Sequence, residues 1–230
     1  MRPILVAAAV VTLFSGTLAP EAWAVRLDES RIIIELNSTD QDVGIQIFLD
    51  GEHWKRLKVF DPDGNKIFDV KGKGSVGALG VTELFMESEE PSLEDLPLDD
   101  FLALFPEGKY RFVGRTVDGR ELKGTARFTH AIPEGPFLVQ PAEGAVVDPD
   151  NTVVEWQAVA DPPGSEIVGY QVIVEREDEV RVIDIKLSAD ITSVTIPPEF
   201  MEPGTEYKFE VLAIEDGGNQ TISERAFETE

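Results

Sequence analysis

A Pro-Gly turn followed by an alternating run, near the carboxyl end of the chain, constrains the fold more than any other feature. The turn is Pro203-Gly204. Apolar side chains then stand at every second position, Tyr207, Phe209 and Val211, with polar residues between them. Successive side chains of a β-strand point to opposite faces, so the run predicts a strand with one buried face. The pattern is typical of the penultimate strand of an antiparallel β-sandwich.

Alternating runs of the same kind occur along most of the chain, and four Asp-Gly pairs lie between them. Glycine tolerates the positive φ that tight hairpins need, so each pair predicts a turn. The pairs are Asp50-Gly51, Asp63-Gly64, Asp118-Gly119 and Asp216-Gly217. Short strands separated by turns predict an all-β protein made of immunoglobulin-like β-sandwiches.

The segment from Pro136 to Phe227 resembles a fibronectin type III domain. Trp156 is similar to the tryptophan that anchors the core of that family, and Tyr170 begins a run similar to the next core strand. Tyr207, directly after the turn, resembles the tyrosine corner, whose hydroxyl bonds to the upstream backbone. The resemblance implies that Trp156, Tyr170 and Tyr207 are structural residues. The Arg-Gly-Asp tripeptide of some family members is absent, which excludes adhesion through that motif.

A cluster of proline and glycine at residues 132–136 separates two sets of predicted strands. Such composition suits a boundary between domains. The sequence therefore predicts two β-sandwich domains in tandem, an N-terminal domain at residues 25–131 and a fibronectin type III-like domain at residues 132–230.

The first domain is predicted to contain one short acidic helix. Its apolar residues have the i, i+3, i+4, i+7 spacing of a helix face and are Leu98, Phe101, Leu102 and Phe105. The glycine-rich stretch from Lys71 to Gly80 lacks the Gly-Lys-Ser/Thr ending of a phosphate-binding loop, so it is predicted to be a mobile loop.

Residues 1–24 have the pattern of a secretory signal peptide. Arg2 gives a basic start, an apolar run follows from Ile4 to Phe14, and the segment ends in small residues at Ala22-Trp23-Ala24. The chain has no cysteine, and an exported protein without disulfides suggests a bacterial envelope. The sequence predicts a periplasmic or extracellular protein that does not insert into the membrane after cleavage behind Ala24.

The net charge of −24 bears on the choice of partner. A strongly acidic chain repels phosphate backbones, so no nucleic acid is expected as a partner, and docking on anionic lipid is equally disfavoured. The charge favours solubility, with cation binding as the alternative. Calcium, the one cofactor considered, would take oxygen ligands from acids at a domain end, either Asp148 and Asp150 or Asp161 and Glu166.

No catalytic pattern is present in the sequence. His53 and His130 are the only imidazoles, and no Gly-x-Ser-x-Gly elbow accompanies them, so the protein is predicted not to be an enzyme. The candidate binding residues are a tryptophan expected on the surface and the acids of the predicted helix region. They are Trp54, Glu94, Asp95, Asp99 and Asp100.

The predicted function is a non-catalytic, exported protein-interaction or structural module of the bacterial envelope with a protein partner. The alternative is an accessory module that binds calcium or carbohydrate, the carbohydrate by stacking on Trp54.

Overall fold

The computed structural model describes residues 24–176 and 181–230, so the predicted signal peptide lies outside the described residues except for Ala24. The prediction of an all-β protein is confirmed. The strands are β1 (Val25–Arg26), β2 (Glu29–Asn37), β3 (Asp42–Phe60), β4 (Lys66–Lys71), β5 (Val81–Glu87), β6 (Gly108–Thr116), β7 (Glu121–Phe128), β8 (Leu138–Gln140), β9 (Ala145–Val147), β10 (Val153–Trp156), β11 (Ile167–Arg176), β12 (Arg181–Ser188), β13 (Ser193–Thr195), β14 (Glu206–Glu215) and β15 (Gln220–Thr229). The helices are α1 (Gly74–Leu79) and α2 (Leu98–Leu104).

Strand β3 builds both sheets of the N-terminal domain. Its first half pairs with β2 and β5, and its second half pairs with β4 and β6, so it bends from one sheet into the other. Asp50-Gly51 lies at this bend inside the strand, and the prediction of a hairpin turn there is wrong. Gly51 is buried, and a side chain on it would come within 3.0 Å of Leu27. The pair permits a bend over the core rather than a reversal of the chain.

Two of the other Asp-Gly pairs form the expected turns. Gly64 has a φ of 91° and Gly119 a φ of 94°, conformations that glycine adopts at little cost. At the last pair the positive φ falls one residue later, at Gly218.

The N-terminal domain contains two helices rather than one. The acidic helix is confirmed as α2, which buries Phe101 and carries Asp99 and Asp100 in its first turn. The glycine-rich stretch, predicted to be a loop, contains α1. A side chain on Gly77 would meet the carbonyl oxygen of Gly72 at 2.7 Å, so glycine here allows a close approach of two backbone segments rather than mobility.

The C-terminal domain packs a three-stranded sheet, β13-β10-β8, against β15-β14-β11-β12. Trp156 and Tyr170 lie in its core with ring centroids 5.3 Å apart. The hydroxyl of Tyr207 donates to the carbonyl of Phe200 at 3.3 Å and accepts from the N–H of Glu202 at 2.8 Å, which is the geometry of a tyrosine corner.

Candidate interaction site at the domain junction

The two domains are joined edge to edge by strands as well as by the peptide chain. Strand β2 pairs in parallel with β15, with Glu35, Leu36 and Asn37 opposite residues 220–222. One continuous run of strands therefore crosses the junction in the order β5-β3-β2-β15-β14-β11-β12. The pairing also covers the β15 edge, which would otherwise present unpaired backbone groups.

The side chain of Asn219 ties three segments together at this junction. Its Oδ1 accepts a hydrogen bond from the backbone N–H of Ile34 at 2.9 Å. Its Nδ2 donates to the carbonyls of Thr129 at 3.0 Å and Ala131 at 3.1 Å. The residue is only 2% exposed, so these polar groups satisfy one another without bulk water.

Hydroxyl groups complete the junction. Ser38 donates from its backbone N–H and from its Oγ to the carbonyl of Ile222, at 2.8 and 2.7 Å. Thr221 Oγ1 donates to the carbonyl of Pro133 at 2.7 Å. At Gly135 any side chain would meet Ser38 Oγ at 2.2 Å, so the linker must pass close to β2. These contacts fix the relative position of the two domains.

A groove of about 360 Å³ lies on the outer face of the continuous sheet, across the junction. We call it the junction groove. It is lined by Arg31, Ile33, Glu35, Gln46, Phe48, Phe85, Gln171, Ile173, Lys186, Glu210, Leu212, Gln220 and Ile222. Phe85 is 56% exposed, and the guanidinium of Arg31 lies 4.9 Å from the ring centroid of Phe48. The groove thus combines open aromatic surface with several side-chain amides.

Carboxylates crowd one side of the groove. Oxygens of Glu35, Glu87 and Glu90 lie within 4.8 Å of one another. Burial raises the pKa of Glu35 from 4.5 to about 7; a hydrogen bond from Gln220 opposes this, and the charges of Glu87 and Glu90 add to it. Burial and the neighbouring Glu87 also raise the pKa of Glu90. Glu35 is therefore partly protonated near neutral pH, which relieves part of the repulsion within the cluster.

The prediction that Trp54 lies on the surface is wrong. Trp54 is 1% exposed and belongs to the core of the N-terminal domain. The expectation rested on a turn at Asp50-Gly51, whereas β3 continues and points the indole inward. The carbohydrate alternative thereby loses the residue on which it depended.

The acidic residues predicted to bind a partner are all exposed: Glu94, Asp95, Asp99 and Asp100. The backbone just before them is hydrogen-bonded to the start of β3, from the N–H of Val43 to the carbonyl of Pro91 and from the N–H of Leu93 to the carbonyl of Gln41. Their role in binding stays a prediction.

The acids considered as calcium ligands, Asp148 with Asp150 or Asp161 with Glu166, belong to no set of three ligands in the described residues. In residues 24–176 and 181–230, the set of three acidic or histidine ligands with suitable spacing is Glu35, Glu87 and Glu90. Asp148 accepts from the N–H of Asp150 at 2.9 Å, and Asp161 accepts from the N–H of Ile167 at 2.8 Å. Two of these carboxylates therefore stabilise the backbone of their own loops.

The two histidines occupy structural or surface positions. His130 stands edge-on to Phe128, and its Nε2 lies 2.8 Å from the carbonyl of Phe105. It is partly buried near the end of β7, while His53 is exposed.

Sequence reasoning missed the junction itself. One signal was available: Ile32, Ile33 and Ile34 interrupt the alternation of β2, and Ile33 is 7% exposed although its neighbours point to the opposite face. A strand buried on both faces needs a cover on its outer side. The sequence does not say that the cover is the other domain.

No helix within residues 24–176 and 181–230 has the length and apolar character required to cross a membrane.

One comparison with curated proteins found a partial match. The chain is 32% identical over 75 residues to the dUMP-forming dCTP deaminase of Leifsonia xyli subsp. xyli. The match covers 33% of this chain and 36% of the deaminase, so the chain spans about a third of the length of that relative.

Comparison with solved structures found tandem fibronectin type III segments. A two-domain segment of chicken tenascin is 11% identical, with 88% of this chain and 98% of that chain covered and a TM-score of 0.32. The FN1-FN3 domains of chicken CNTN1 are 13% identical, with 90% and 64% covered and a TM-score of 0.35. A family model matches as well, that of the fibronectin type III domain at residues 140–229. Together with the tyrosine corner and the two-sheet core, this match identifies residues 140–229 as a fibronectin type III domain.

Proposed function

We propose that the protein is a non-catalytic interaction module, exported to the bacterial envelope, that binds a protein partner in the junction groove. The observation that carries the proposal is the continuous sheet across both domains, which presents one open face with an exposed Phe85. Fibronectin type III domains commonly serve as interaction or structural modules, and the domain at residues 140–229 supports this class of function.

The groove has the elements of a binding surface. An exposed aromatic ring supplies an anchor, and aromatic residues carry a large share of binding energy at interfaces. The amides of Gln46, Gln171 and Gln220 line the groove and offer both donors and acceptors. The hydrogen-bonded junction holds these groups in place, which lowers the entropy lost on association.

The charge around the groove selects the chemistry of the partner. Between Lys73 and Lys109 the chain has nine acidic residues and no basic one. Glu87 and Glu90 of this segment lie beside Glu35 of the groove. The lining itself carries two cations, Arg31 and Lys186, and two acids, Glu35 and Glu210, so these two further carboxylates make the surroundings acidic. Opposite charges steer association and like charges disfavour wrong partners, so the partner is a basic protein surface with an apolar side chain for Phe85.

The experiment compares the protein with a Phe85→Ser variant and a matched control, Val146→Ser. Val146 is 60% exposed on the C-terminal domain, away from the residues of the groove. A basic protein captured from envelope extract is identified by mass spectrometry, and its affinity is then measured with purified components. We expect Phe85→Ser to weaken binding roughly ten-fold or more and the control to leave it unchanged. Equal affinities for the protein and the Phe85→Ser variant would refute binding through the groove.

Export to the envelope is part of the same proposal. It is supported by the pattern of residues 1–24 and by the absence of cysteine from the sequence.

A further inference from the structure

The N-terminal domain carries a basic surface on the outer face of its second sheet, β4-β3-β6-β7. Side chains along each of these strands alternate between the two faces of the sheet. Leu57, Phe112 and Leu122 point into the core, and the residues next to them along each strand point outward. The outward positions hold nine basic side chains, namely Arg56, Lys58, Lys66, Lys71, Lys109, Arg111, Arg115, Lys123 and Arg127, and two acidic ones, Asp69 and Glu121. We call this surface the basic face.

The basic face is unexpected on a chain with a net charge of −24. It has a surplus of seven positive charges, so the remainder of the protein is more acidic than the average suggests. Charges more than about 10 Å away are largely screened at 0.1 M salt. An anion at this surface therefore responds mainly to the nearby cations rather than to the net charge of the whole molecule.

A hollow of about 400 Å³ lies in the basic face. It is lined by Lys55, Arg56, Lys58, Lys71, Val113, Gly114, Arg115 and Glu121. Cross-strand pairing produces this concentration of charge, because Lys71 stands opposite Arg56 on β3, and Arg56 stands opposite Arg115 on β6. Like charges placed directly opposite each other are unfavourable in a sheet unless something compensates them.

The positively charged side chains that line the hollow differ in whether a nearby acceptor neutralises their charge. Arg56 makes two hydrogen bonds to Asp69, at 2.9 and 2.8 Å. Arg115 donates to the carbonyl of Gly119 at 3.0 Å. By contrast, within the described part of the chain the ammonium groups of Lys58 and Lys71 have no ion-pair or hydrogen-bond partner. Two free ammonium groups thus share one concave site with a guanidinium bound only to a neutral carbonyl.

We propose that the hollow binds a phosphate group. A phosphate monoester carries a charge of about −1.5 to −2 and three acceptor oxygens, which matches two ammonium groups and one guanidinium better than a single carboxylate does. Lysine binds phosphate as a point charge and arginine through its fork of donors. The phosphate comes either from a soluble ligand or from the headgroup of an anionic lipid, and the experiment separates these sources.

The test uses two probes with the purified protein. Pyrophosphate binding is measured by calorimetry at about 0.1 M salt, and retention is measured on phosphatidylcholine vesicles with and without phosphatidic acid, whose headgroup is a phosphate monoester. Binding of pyrophosphate alone identifies a soluble phosphate ligand, and retention only on phosphatidic acid vesicles identifies a lipid headgroup. In either case added salt weakens binding, because the attraction is electrostatic. If neither probe binds, the proposal is overturned.

Single-charge variants locate the site. Lys58→Gln and Lys71→Gln should each weaken binding of the probe roughly ten-fold, since a hydrogen bond to a charged group is lost. Arg225→Gln removes the same charge from β15 of the other domain, at a residue that lines neither the hollow nor the junction groove, and should change affinity less than about two-fold. Equal losses in all three variants would show a general charge effect and would overturn the assignment to the hollow.

Discussion

Asn219→Ala should destabilise the protein by about 3 kcal/mol and uncouple its domains. The variant removes one acceptor and two donors, which bond to Ile34, Thr129 and Ala131 at 2.9 to 3.1 Å. A hydrogen bond contributes about 1 kcal/mol net, and a buried partner left unsatisfied loses at least that much. Water cannot readily replace the side chain because the site is only 2% exposed. The three contacts together therefore give about 3 kcal/mol.

The assay uses the fact that each domain core contains one tryptophan. Trp54 reports on the N-terminal core and Trp156 on the C-terminal core. With signal-cleaved protein, urea unfolding is followed by fluorescence in Trp54→Phe and Trp156→Phe backgrounds. The two probes should show one shared midpoint when Asn219 is present, and two separate midpoints in the Asn219→Ala variant, because the junction no longer couples the domains.

The matched control is Asn151→Ala, since Asn151 is exposed and its side chain makes no hydrogen bond in the described part of the chain. Its unfolding free energy should change by less than about 0.5 kcal/mol. Asn219→Asp is a second informative variant, because a carboxylate keeps the acceptor for Ile34 but faces the two carbonyl oxygens without a donor. A loss below about 1 kcal/mol in Asn219→Ala, with coincident midpoints, would refute the role assigned to the junction.

Three further predictions concern pH, calcium and processing. Because the pKa of Glu35 is raised from 4.5 to about 7, the folded state binds more protons than the unfolded state over that range, and stability falls as pH rises through it. Glu35→Gln should flatten this fall in pH-dependent urea unfolding, whereas Glu83→Gln, at an exposed position of β5, should retain it. Calcium at about 1 mM should leave the thermal midpoint unchanged, because the acids considered as calcium ligands belong to no set of three, and a rise that persists in the Glu35→Gln variant would restore the calcium alternative. Amino-terminal sequencing of protein from the producing cell should begin at Val25, and a sequence beginning at Met1 would contradict cleavage after Ala24.

Sequence patterns predicted correctly the elements whose structure depends on residues close to them in the chain. The alternation of Tyr207, Phe209 and Val211 predicts β14, and all three side chains are buried. The spacing that includes Phe101 predicts α2, whose apolar face packs on the core. In these segments propensity, pattern and burial agree, so no distant contact is needed to choose the structure.

Trp54 shows where local reasoning fails. An Asp-Gly pair before it suggested a turn, and residues after a turn are commonly exposed. The long β3 instead bends at Gly51, which is packed against Leu27, a residue far away in the sequence. Whether this pair reverses or only bends the chain depends on that distant contact. The parallel pairing of β2 with β15 is missed for the same reason, since about 185 residues separate its partners.

The positions of the junction groove and the basic face explain how one chain can present both surfaces. The groove lies on the outer side of the sheet that contains β2 and β5, and the basic face lies on the outer side of the sheet that contains β4, β6 and β7. The inner sides of both sheets contribute to one core, from Ile34 and Ile47 on one side to Phe112 and Leu122 on the other. The two outer surfaces therefore point in opposite directions. A basic protein bound in the groove and a phosphate bound in the hollow, as proposed above, would therefore not compete for space. The net charge of −24 is an average that hides the local excess of positive charge on the basic face.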